Sequence, residues 1–154
     1  MRSANPAHAT RRCPTVLFMT SRLNPYISFR DNAREAVTFY QEVFGGELAI
    51  NTFGDFGAPE GTNPDGVMHA QLETPLGFTL MASDVPGYME FTPGASIRIS
   101  LSGDDADDLR GYFAKLADGG VVEVPLDKQA WGDEFGMVTD RFGVAWLVNV
   151  TQPH

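Results

Sequence analysis

The amino-acid sequence predicts an α+β fold of two βαβββ modules, whose curved, largely antiparallel sheets surround a cavity. A short apolar strand pattern occurs twice, at Ile27–Phe29 and at Ile99–Leu101, and a helical pattern follows each copy. The helical patterns end in a glycine pair, Gly45-Gly46 in the first copy and Gly119-Gly120 in the second. A repeat of this kind indicates two copies of one supersecondary unit.

The first predicted helix carries a single apolar stripe at helical spacing. Its members are Ala33, Ala36, Val37, Tyr40, Val43 and Phe44. Asn32 and, three residues later, Glu35 resemble a capping box, in which side chains bond the free N–H groups of a helix start. The glycine pair supplies the left-handed residue that ends a helix at low cost.

The second predicted helix has a matching apolar stripe and an acidic start. The stripe consists of Ala106, Leu109, Phe113, Leu116 and Ala117. Asp104, Asp105, Asp107 and Asp108 surround its first turn, where the helix dipole favours negative charge. Consecutive helical residues point in different directions, so we interpret this acidic run as a solvated helix start and not as a cation site.

Each helix is predicted to have one strand before it and three after it. The expected strands cover about residues 23–29, 46–53, 67–74 and 77–84 in module one and about 96–102, 120–126, 134–139 and 143–150 in module two. Glycine and proline mark the stretches Gly54–Gly66 and Pro86–Gly94 as loops.

The alternation of side chains along strands assigns their two faces. The helix-facing residues are expected to be Leu23, Ile27, Phe29, Met68, Ala70, Leu72, Ile97, Ile99 and Leu101. The opposite face then carries Asn24, Tyr26, Ser28, His69, Gln71, Glu73, Ser96, Arg98 and Ser100. If the sheets curl into a trough, this mostly polar set lines it. Trp146 falls on the helix-facing side and is expected in the core.

The domain is expected over residues 22–150, with module one at about 22–85 and module two at about 95–150. Residues 1–21 show no periodic pattern, and Pro6 and Pro14 interrupt them. We predict a disordered extension or a wrongly assigned start, with Met19 as the alternative initiator. The apolar run Val16–Met19 is shorter than the roughly 7–15 residues of a signal-peptide core.

Composition excludes several classes of partner. The net charge is −9, and the 11 Lys and Arg residues are too scattered to track a phosphate backbone, so no nucleic-acid partner is expected. No stretch approaches the roughly 20 apolar residues of a membrane span. Cys13 is the single cysteine, so neither an intrachain disulfide nor a cysteine-based metal site can form. These features predict a cytoplasmic protein.

Short motifs along the chain carry a resemblance to a known superfamily. They are Asn24-Pro25-Tyr26, Phe39-Tyr40, Phe44-Gly45-Gly46, His69-Ala70, Met81–Asp84, Trp131, Phe135-Gly136 and Asp140–Trp146. In order and spacing the chain resembles the glyoxalase/bleomycin-resistance/extradiol-dioxygenase group, the vicinal oxygen chelate (VOC) superfamily, over about residues 22–150. Within that group it is most similar to the PhnB-like branch, whose members often carry a demethylubiquinone methyltransferase label. We find no glycine motif for a nucleoside cofactor to support that label.

The resemblance implies paired modules, a homodimer and a cavity on the concave sheet face. In metal-using members, His or Glu from the first and last strands of each module holds a divalent ion. Those positions correspond, within a residue or two, to Asn24, Leu80, Arg98 and Leu147. Leucine has no lone pair to donate. A guanidinium about 4 Å away would repel a divalent ion by about 8 kcal/mol at an effective dielectric of 20. We therefore expect no metal and no other cofactor, and a divalent ion is the less favoured alternative.

His69 is the one candidate for acid–base chemistry. It shares a strand face with Glu73, but four residues at about 3.3 Å each separate the two by roughly 13 Å, which one ion cannot bridge. His69 could still donate one metal ligand together with other strands, or act as a general acid or base. A hydrogen-bonded structural histidine is the alternative.

The favoured hypothesis is a protein that binds a small organic molecule without the usual metal. Its candidate ligand-binding residues are Asn24, Tyr26, His69, Gln71, Arg98, Trp131 and Phe135. Arg98 could clamp an anionic group or form a structural ion pair, and Trp131 could stack on a ligand or pack internally. The second hypothesis is a divalent-metal-dependent lyase, isomerase or dioxygenase with His69 as the catalytic residue. The third is a self-associating protein whose pocket is vestigial.

Overall fold

The structure, a computed structural model, describes residues 22–94 and 96–152. Module one consists of β1 (Tyr26–Phe29), α1 (Ala33–Phe44), β2 (Glu47–Thr52), a 3-10 turn (Gly54–Phe56), β3 (Val67–Glu73) and β4 (Thr79–Asp84). Module two consists of β5 (Ile99–Gly103), α2 (Ala106–Ala117), β6 (Val121–Lys128), β7 (Glu134–Thr139) and β8 (Ala145–Val150). The predicted α+β architecture of two βαβββ modules is confirmed. The prediction for residues 1–21 lies outside the described residues.

Each module forms one four-stranded mixed sheet. The strand order is β1-β4-β3-β2 in module one and β5-β8-β7-β6 in module two. The first strand of each module pairs parallel with the last, β1 with β4 and β5 with β8, and the other pairs are antiparallel. The identical order and pairing show that the sequence repeat is also a structural repeat.

One hydrophobic core connects the two modules through their helices. The Tyr40 ring of α1 lies 5.6 Å from the ring of Trp146 in β8, and Phe44 lies 5.0 Å from Tyr112 of α2. Trp146 is fully buried, which confirms its predicted core position. Both helices thus pack into the same core as the helix-facing sides of the sheets. Within the described residues, neither helix is long and apolar enough to cross a membrane.

The glycine pairs end the helices as predicted. Gly45 and Gly119 adopt φ values of 72° and 74°, the left-handed conformation that glycine reaches without strain. The second glycine of each pair has a different role. A Cβ on Gly46 would lie 2.0 Å from the Glu73 carbonyl oxygen, and one on Gly120 would lie 2.3 Å from that of Thr139. These glycines therefore allow the chain to leave the helix directly against the third strand of its module.

The capping-box prediction at Asn32 is wrong. Asn32 makes no side-chain capping hydrogen bond. The free N–H of Ala33 instead donates to Asp84 Oδ1 at 3.0 Å, and the N–H of Val67 donates to Asp84 Oδ2 at 2.9 Å. A buried carboxylate at the end of β4 thus fixes the starts of both α1 and β3.

The prediction that Leu23 and Ile97 face the helices is also wrong. Leu23 is fully exposed and Ile97 is 83% exposed. Both precede the strands proper, which begin only at Tyr26 and Ile99, so the strand alternation does not extend to them. Met68, also predicted to face the helices, is only partly buried.

Candidate functional site

The sheet faces turned away from the helices carry the candidate residues. In β3, Ala70 and Leu72 are fully buried against the core, so His69 and Gln71 project from the opposite face. In β7, Val138 is fully buried, and Phe135 and Thr139 project from the opposite face. We call these surfaces the outer faces of module one and module two.

Tyr26 and His69 form a pair on the outer face of module one. The Tyr26 hydroxyl oxygen lies 3.3 Å from His69 Nδ1, and the two ring centroids are 5.7 Å apart. Tyr26 is 51% exposed and His69 is partly buried. The hydroxyl and the imidazole can therefore exchange donor and acceptor roles with the tautomer while remaining open to an approaching molecule.

Gln71 belongs to a second polar group on the same face. Its Nε2 donates to Glu73 Oε1 at 2.5 Å, and the Thr79 hydroxyl donates to Glu73 Oε2 at 2.8 Å. The bond from Thr79, and then that from Gln71, lowers the pKa of Glu73. These two bonds favour the ionised form of Glu73 and occupy the amide nitrogen of Gln71.

Arg98 lies in a network on the outer face of module two. Its Nη2 forms an ion pair with Glu123 Oε2, and the Thr139 hydroxyl donates to Glu123 Oε1. The bond from Thr139, followed by that from Arg98, lowers the pKa of Glu123. Arg98 Nη1 is shielded from solvent and has no hydrogen-bond partner among the described residues. The structural ion pair foreseen for Arg98 therefore occupies only one side of its guanidinium.

The remaining candidates comprise an aromatic pair and the amide of Asn24. The ring centroids of Trp131 and Phe135 lie 6.0 Å apart at an interplanar angle of 66°. Trp131 is 60% exposed, so it does not pack in the core. Asn24 is partly buried just before β1.

The structure brings the candidates together in pairs and does not join all of them. Tyr26 contacts His69 in module one, and Trp131 contacts Phe135 in module two. Within residues 22–94 and 96–152 we find no hydrogen bond, ion pair or ring contact between the module-one and module-two sets. Other described residues line a groove of about 700 Å³ along α1 and a cavity of about 200 Å³ between the modules. A trough containing the whole set stays a prediction.

Sequence reasoning missed Glu123, which pairs with Arg98, and Thr139, which donates to Glu123. Alternation could have placed Thr139, because it follows the buried Val138. It could not place Glu123, because the pairing of β6 with β7 shifts register between Val122 and Val124 and again before Asp127. A bulge of this kind turns a side chain to the other face without a mark in the sequence pattern.

The side chains at the positions that correspond, within a residue or two, to the superfamily's metal ligands do not suit a divalent ion. Leu80 is 5% exposed and packs in the core. Arg98 places a positive charge at the third position, and Glu123 already pairs with that charge. No group of three or more His, Cys, Asp or Glu side chains with metal-binding geometry occurs in the part of the chain that the structure describes.

Comparison with known proteins relates the chain to a family. The sequence profile described as 3-demethylubiquinone-9 3-methyltransferase matches residues 21–149. Protein YjdN of Escherichia coli is 30% identical over 146 residues, which cover 84% of this chain and 95% of that protein. The uncharacterized protein Rv0887c of Mycobacterium tuberculosis is 32% identical over 149 residues, covering 91% of this chain and 80% of that protein.

Solved structures agree with this relationship. Protein PA1353 from Pseudomonas aeruginosa is 40% identical, with a TM-score of 0.77 over 87% of this chain and 100% of that one. A PhnB protein from Bacillus cereus shares the fold with a TM-score of 0.69 and 22% identity, over 85% of this chain and 100% of that one. A glyoxalase/bleomycin resistance protein/dioxygenase family enzyme from Burkholderia phytofirmans also shares it, with a TM-score of 0.57 and 14% identity, over 84% of this chain and 97% of that one. The chain therefore belongs to the PhnB-like family described as 3-demethylubiquinone-9 3-methyltransferase, on the fold of the glyoxalase/bleomycin-resistance/dioxygenase proteins.

Proposed function

We propose that this protein binds a small organic molecule with an anionic or strongly accepting group on the outer sheet faces, without the usual divalent metal. The unsatisfied Nη1 of Arg98 carries this proposal. A shielded donor without a partner is unfavourable, more so when it belongs to a charged group. A carboxylate, phosphonate or carbonyl oxygen of a ligand would satisfy it.

The neighbouring side chains suit the rest of such a ligand. Trp131 and Phe135 offer aromatic area on the same module, and ligand sites commonly combine aromatic surface with a few polar anchors. Tyr26, His69, Gln71 and Asn24 would supply further hydrogen bonds from module one. The Arg98–Glu123–Thr139 network holds the guanidinium in place before the ligand arrives, which reduces the entropic cost of binding.

A metal-free site is part of this proposal. Leu80, buried in the core, and the ion-paired Arg98 stand at two of the positions that correspond, within a residue or two, to the superfamily's metal ligands. The methyltransferase activity in the family description is not proposed for this chain, since its sequence contains no Gly-x-Gly segment of the kind that binds nucleoside cofactors.

An enzyme with His69 as general acid or base is the second candidate. The contact between Tyr26 Oη and His69 Nδ1 favours it, because a hydroxyl at that distance can fix the imidazole tautomer and take part in proton transfer. No metal-bound step is required for such a reaction.

A homodimer in the cytoplasm is also part of the proposal. Large apolar side chains are exposed on both modules, among them Tyr26, Val121 and Trp131 at 51%, 65% and 60%. Association of two copies would cover part of this surface. The single cysteine, which excludes an intrachain disulfide, is consistent with a reducing compartment.

The proposal is tested by screening small carboxylates, phosphonates and neutral analogues by thermal shift, and by measuring the dissociation constant of each hit calorimetrically. We expect Arg98→Lys to weaken an anionic hit about tenfold or more, because lysine keeps the charge but loses the planar fork. Arg110→Lys, which alters an ion pair with Glu134 on α2 and β7, is the matched control and should leave the affinity unchanged.

Equal affinity of the Arg98→Lys variant and the unmodified protein for every hit would contradict the proposal. Binding that depends on an added divalent metal would contradict its metal-free part. Conversion of a bound compound to product, lost in His69→Ala, would favour the enzyme candidate over a simple binding protein.

A further inference from the structure

We propose that the cavity between the two modules is a second binding site, for a neutral and mainly apolar molecule about the size of one substituted aromatic ring. This cavity has a volume of about 200 Å³. Both modules contribute to its wall: Phe44, Phe78 and Leu80 from module one, and Ile99, Leu101 and Trp146 from module two. None of the seven candidate ligand-binding residues (Asn24, Tyr26, His69, Gln71, Arg98, Trp131 and Phe135) is among its lining residues, so the site is distinct from the one proposed above.

The size of the cavity exceeds an ordinary packing defect. Protein cores are packed at the density of organic crystals, and voids much larger than a water molecule are few. An apolar cavity of about 150 Å³ is large enough to bind benzene. The space between the modules is of that order, and the exposed Ser100 at its edge marks an opening to solvent.

The lining determines the chemical class of the occupant. Among residues 22–94 and 96–152, no Asp, Glu, Lys, Arg or His side chain lines the cavity, so a charged ligand would lose its hydration without compensation from this wall. The described part of the wall carries two hydroxyl side chains, Thr79 and Ser100, and Thr79 already donates to Glu73. Because a buried water needs two to four polar partners, this wall suits an apolar ligand with at most one polar group better than it suits water.

Three aromatic rings, those of Phe44, Phe78 and Trp146, line the cavity. The Phe44 ring lies 5.6 Å from that of Trp146 and 6.0 Å from that of Phe78, with the second pair nearly perpendicular at 88°. Tilted and edge-to-face arrangements of this kind leave ring faces and edges available to a further aromatic ring. A monocyclic aromatic molecule would therefore extend an existing cluster and bridge the two modules.

The experiment uses iodobenzene as the probe and Trp146 as the reporter. In a Trp131→Phe variant, Trp146 is the only one of the chain's two tryptophans that remains. Iodine quenches tryptophan fluorescence at short range, so we expect saturable quenching together with a rise in the melting temperature of the unmodified protein. The probe 4-iodobenzoate has the same ring and a negative charge, and should bind this site at least tenfold more weakly.

A cavity-filling variant completes the test. Ile99→Phe should weaken iodobenzene binding at least tenfold, whereas Ser102→Phe, on the same strand but outside the cavity, should not change it. If Ile99→Phe fails to fold by circular dichroism, Leu80→Phe takes its place. Quenching that does not saturate, that is equal for the charged probe, or that survives cavity filling would overturn the proposal.

Discussion

At the residue scale, a buried cluster around Asp140 joins the two modules. Its Oδ2 accepts hydrogen bonds from the Tyr40 hydroxyl at 2.6 Å and from Trp146 Nε1 at 2.9 Å. Its Oδ1 accepts from the N–H groups of Phe142 and Val144 at 2.8 and 3.1 Å. One carboxylate of module two thus fixes its own β7–β8 turn and an α1 side chain of module one. Its full set of donors compensates for its burial.

This cluster makes stability sensitive to alkaline pH. Burial, and then the negative charge of Asp140, raises the pKa of Tyr40 far above its ordinary value. Above pH 10 an unfolded tyrosine loses its proton while folded Tyr40 keeps it, so the unfolded state binds fewer protons and the free energy of unfolding falls. Between pH 8 and pH 11, Tyr40 alone should lower the free energy of unfolding by about 1.4 kcal/mol.

Tyr40→Phe should remove that share of the pH dependence. At pH 8 the free energy of unfolding of the variant should be about 1.5–3 kcal/mol lower than that of the unmodified protein, because a hydrogen bond to a charged acceptor disappears. Guanidinium denaturation followed by circular dichroism at pH 8 and pH 11 measures both effects. Tyr88→Phe, at a 70% exposed position, is the control. An unchanged pH dependence in Tyr40→Phe would show that Tyr40 does not hold its proton as inferred.

At the element scale, each module depends on a close approach between the backbone that follows its helix and the third strand of the module. The chain leaves α1 through Gly46 and α2 through Gly120, and a Cβ on either would meet a carbonyl oxygen of the facing strand. Backbone atoms cannot give way as a flexible side chain can. The glycine pair therefore sets the position of β2 against β3 and of β6 against β7.

Alanine at these glycines should be destabilising, whereas alanine at a helical glycine should not. We expect Gly120→Ala to lower the free energy of unfolding by about 1–3 kcal/mol or more, because its Cβ overlaps the Thr139 carbonyl oxygen. Gly111→Ala, inside α2 with nothing within 4 Å of the added Cβ, should raise it by up to about 1 kcal/mol. Urea denaturation compares the two, and equal effects would contradict this account of the pair.

At the scale of the whole molecule, the exposed edge strand β6 bears on whether two copies associate. β6 lies at the end of its sheet and carries exposed apolar side chains, Val121 at 65% and Val122 at 43%. An edge strand of this kind tends to pair with another chain unless it is covered. The homodimer proposed above would cover it and would place a second copy beside the outer face that holds Arg98.

We expect sedimentation at micromolar concentration to show a dimer and Val121→Lys to shift it toward the monomer, because a buried lysine loses its hydration. Ala114→Lys, at an exposed position on α2, adds the same charge and should leave the dimer intact. A monomer in the unmodified protein would contradict the proposal.

Most elements of the fold could be predicted because their signals are local. The apolar stripes of both helices and the alternation in β3 and β7 are periodic features of neighbouring residues. The predicted strand starts at about residues 23 and 96 were too early, because alternation alone does not say where hydrogen bonding to the next strand begins. Among the candidate site residues, the contacts of Tyr26 with His69 and of Trp131 with Phe135 agree with the assignment to common surfaces, whereas their role in binding stays a prediction.

The sequence by itself determined the two modules, their helices, the glycine pairs and the core position of Trp146, since each depends on spacing within one element. Tertiary structure decided that Asp84 and not Asn32 caps α1, and that Glu123 holds one side of Arg98. Those partners are 51 and 25 residues apart in the chain. They meet only through sheet register and the irregularity in β6, which depend on the packing of whole elements and leave no periodic trace in the sequence.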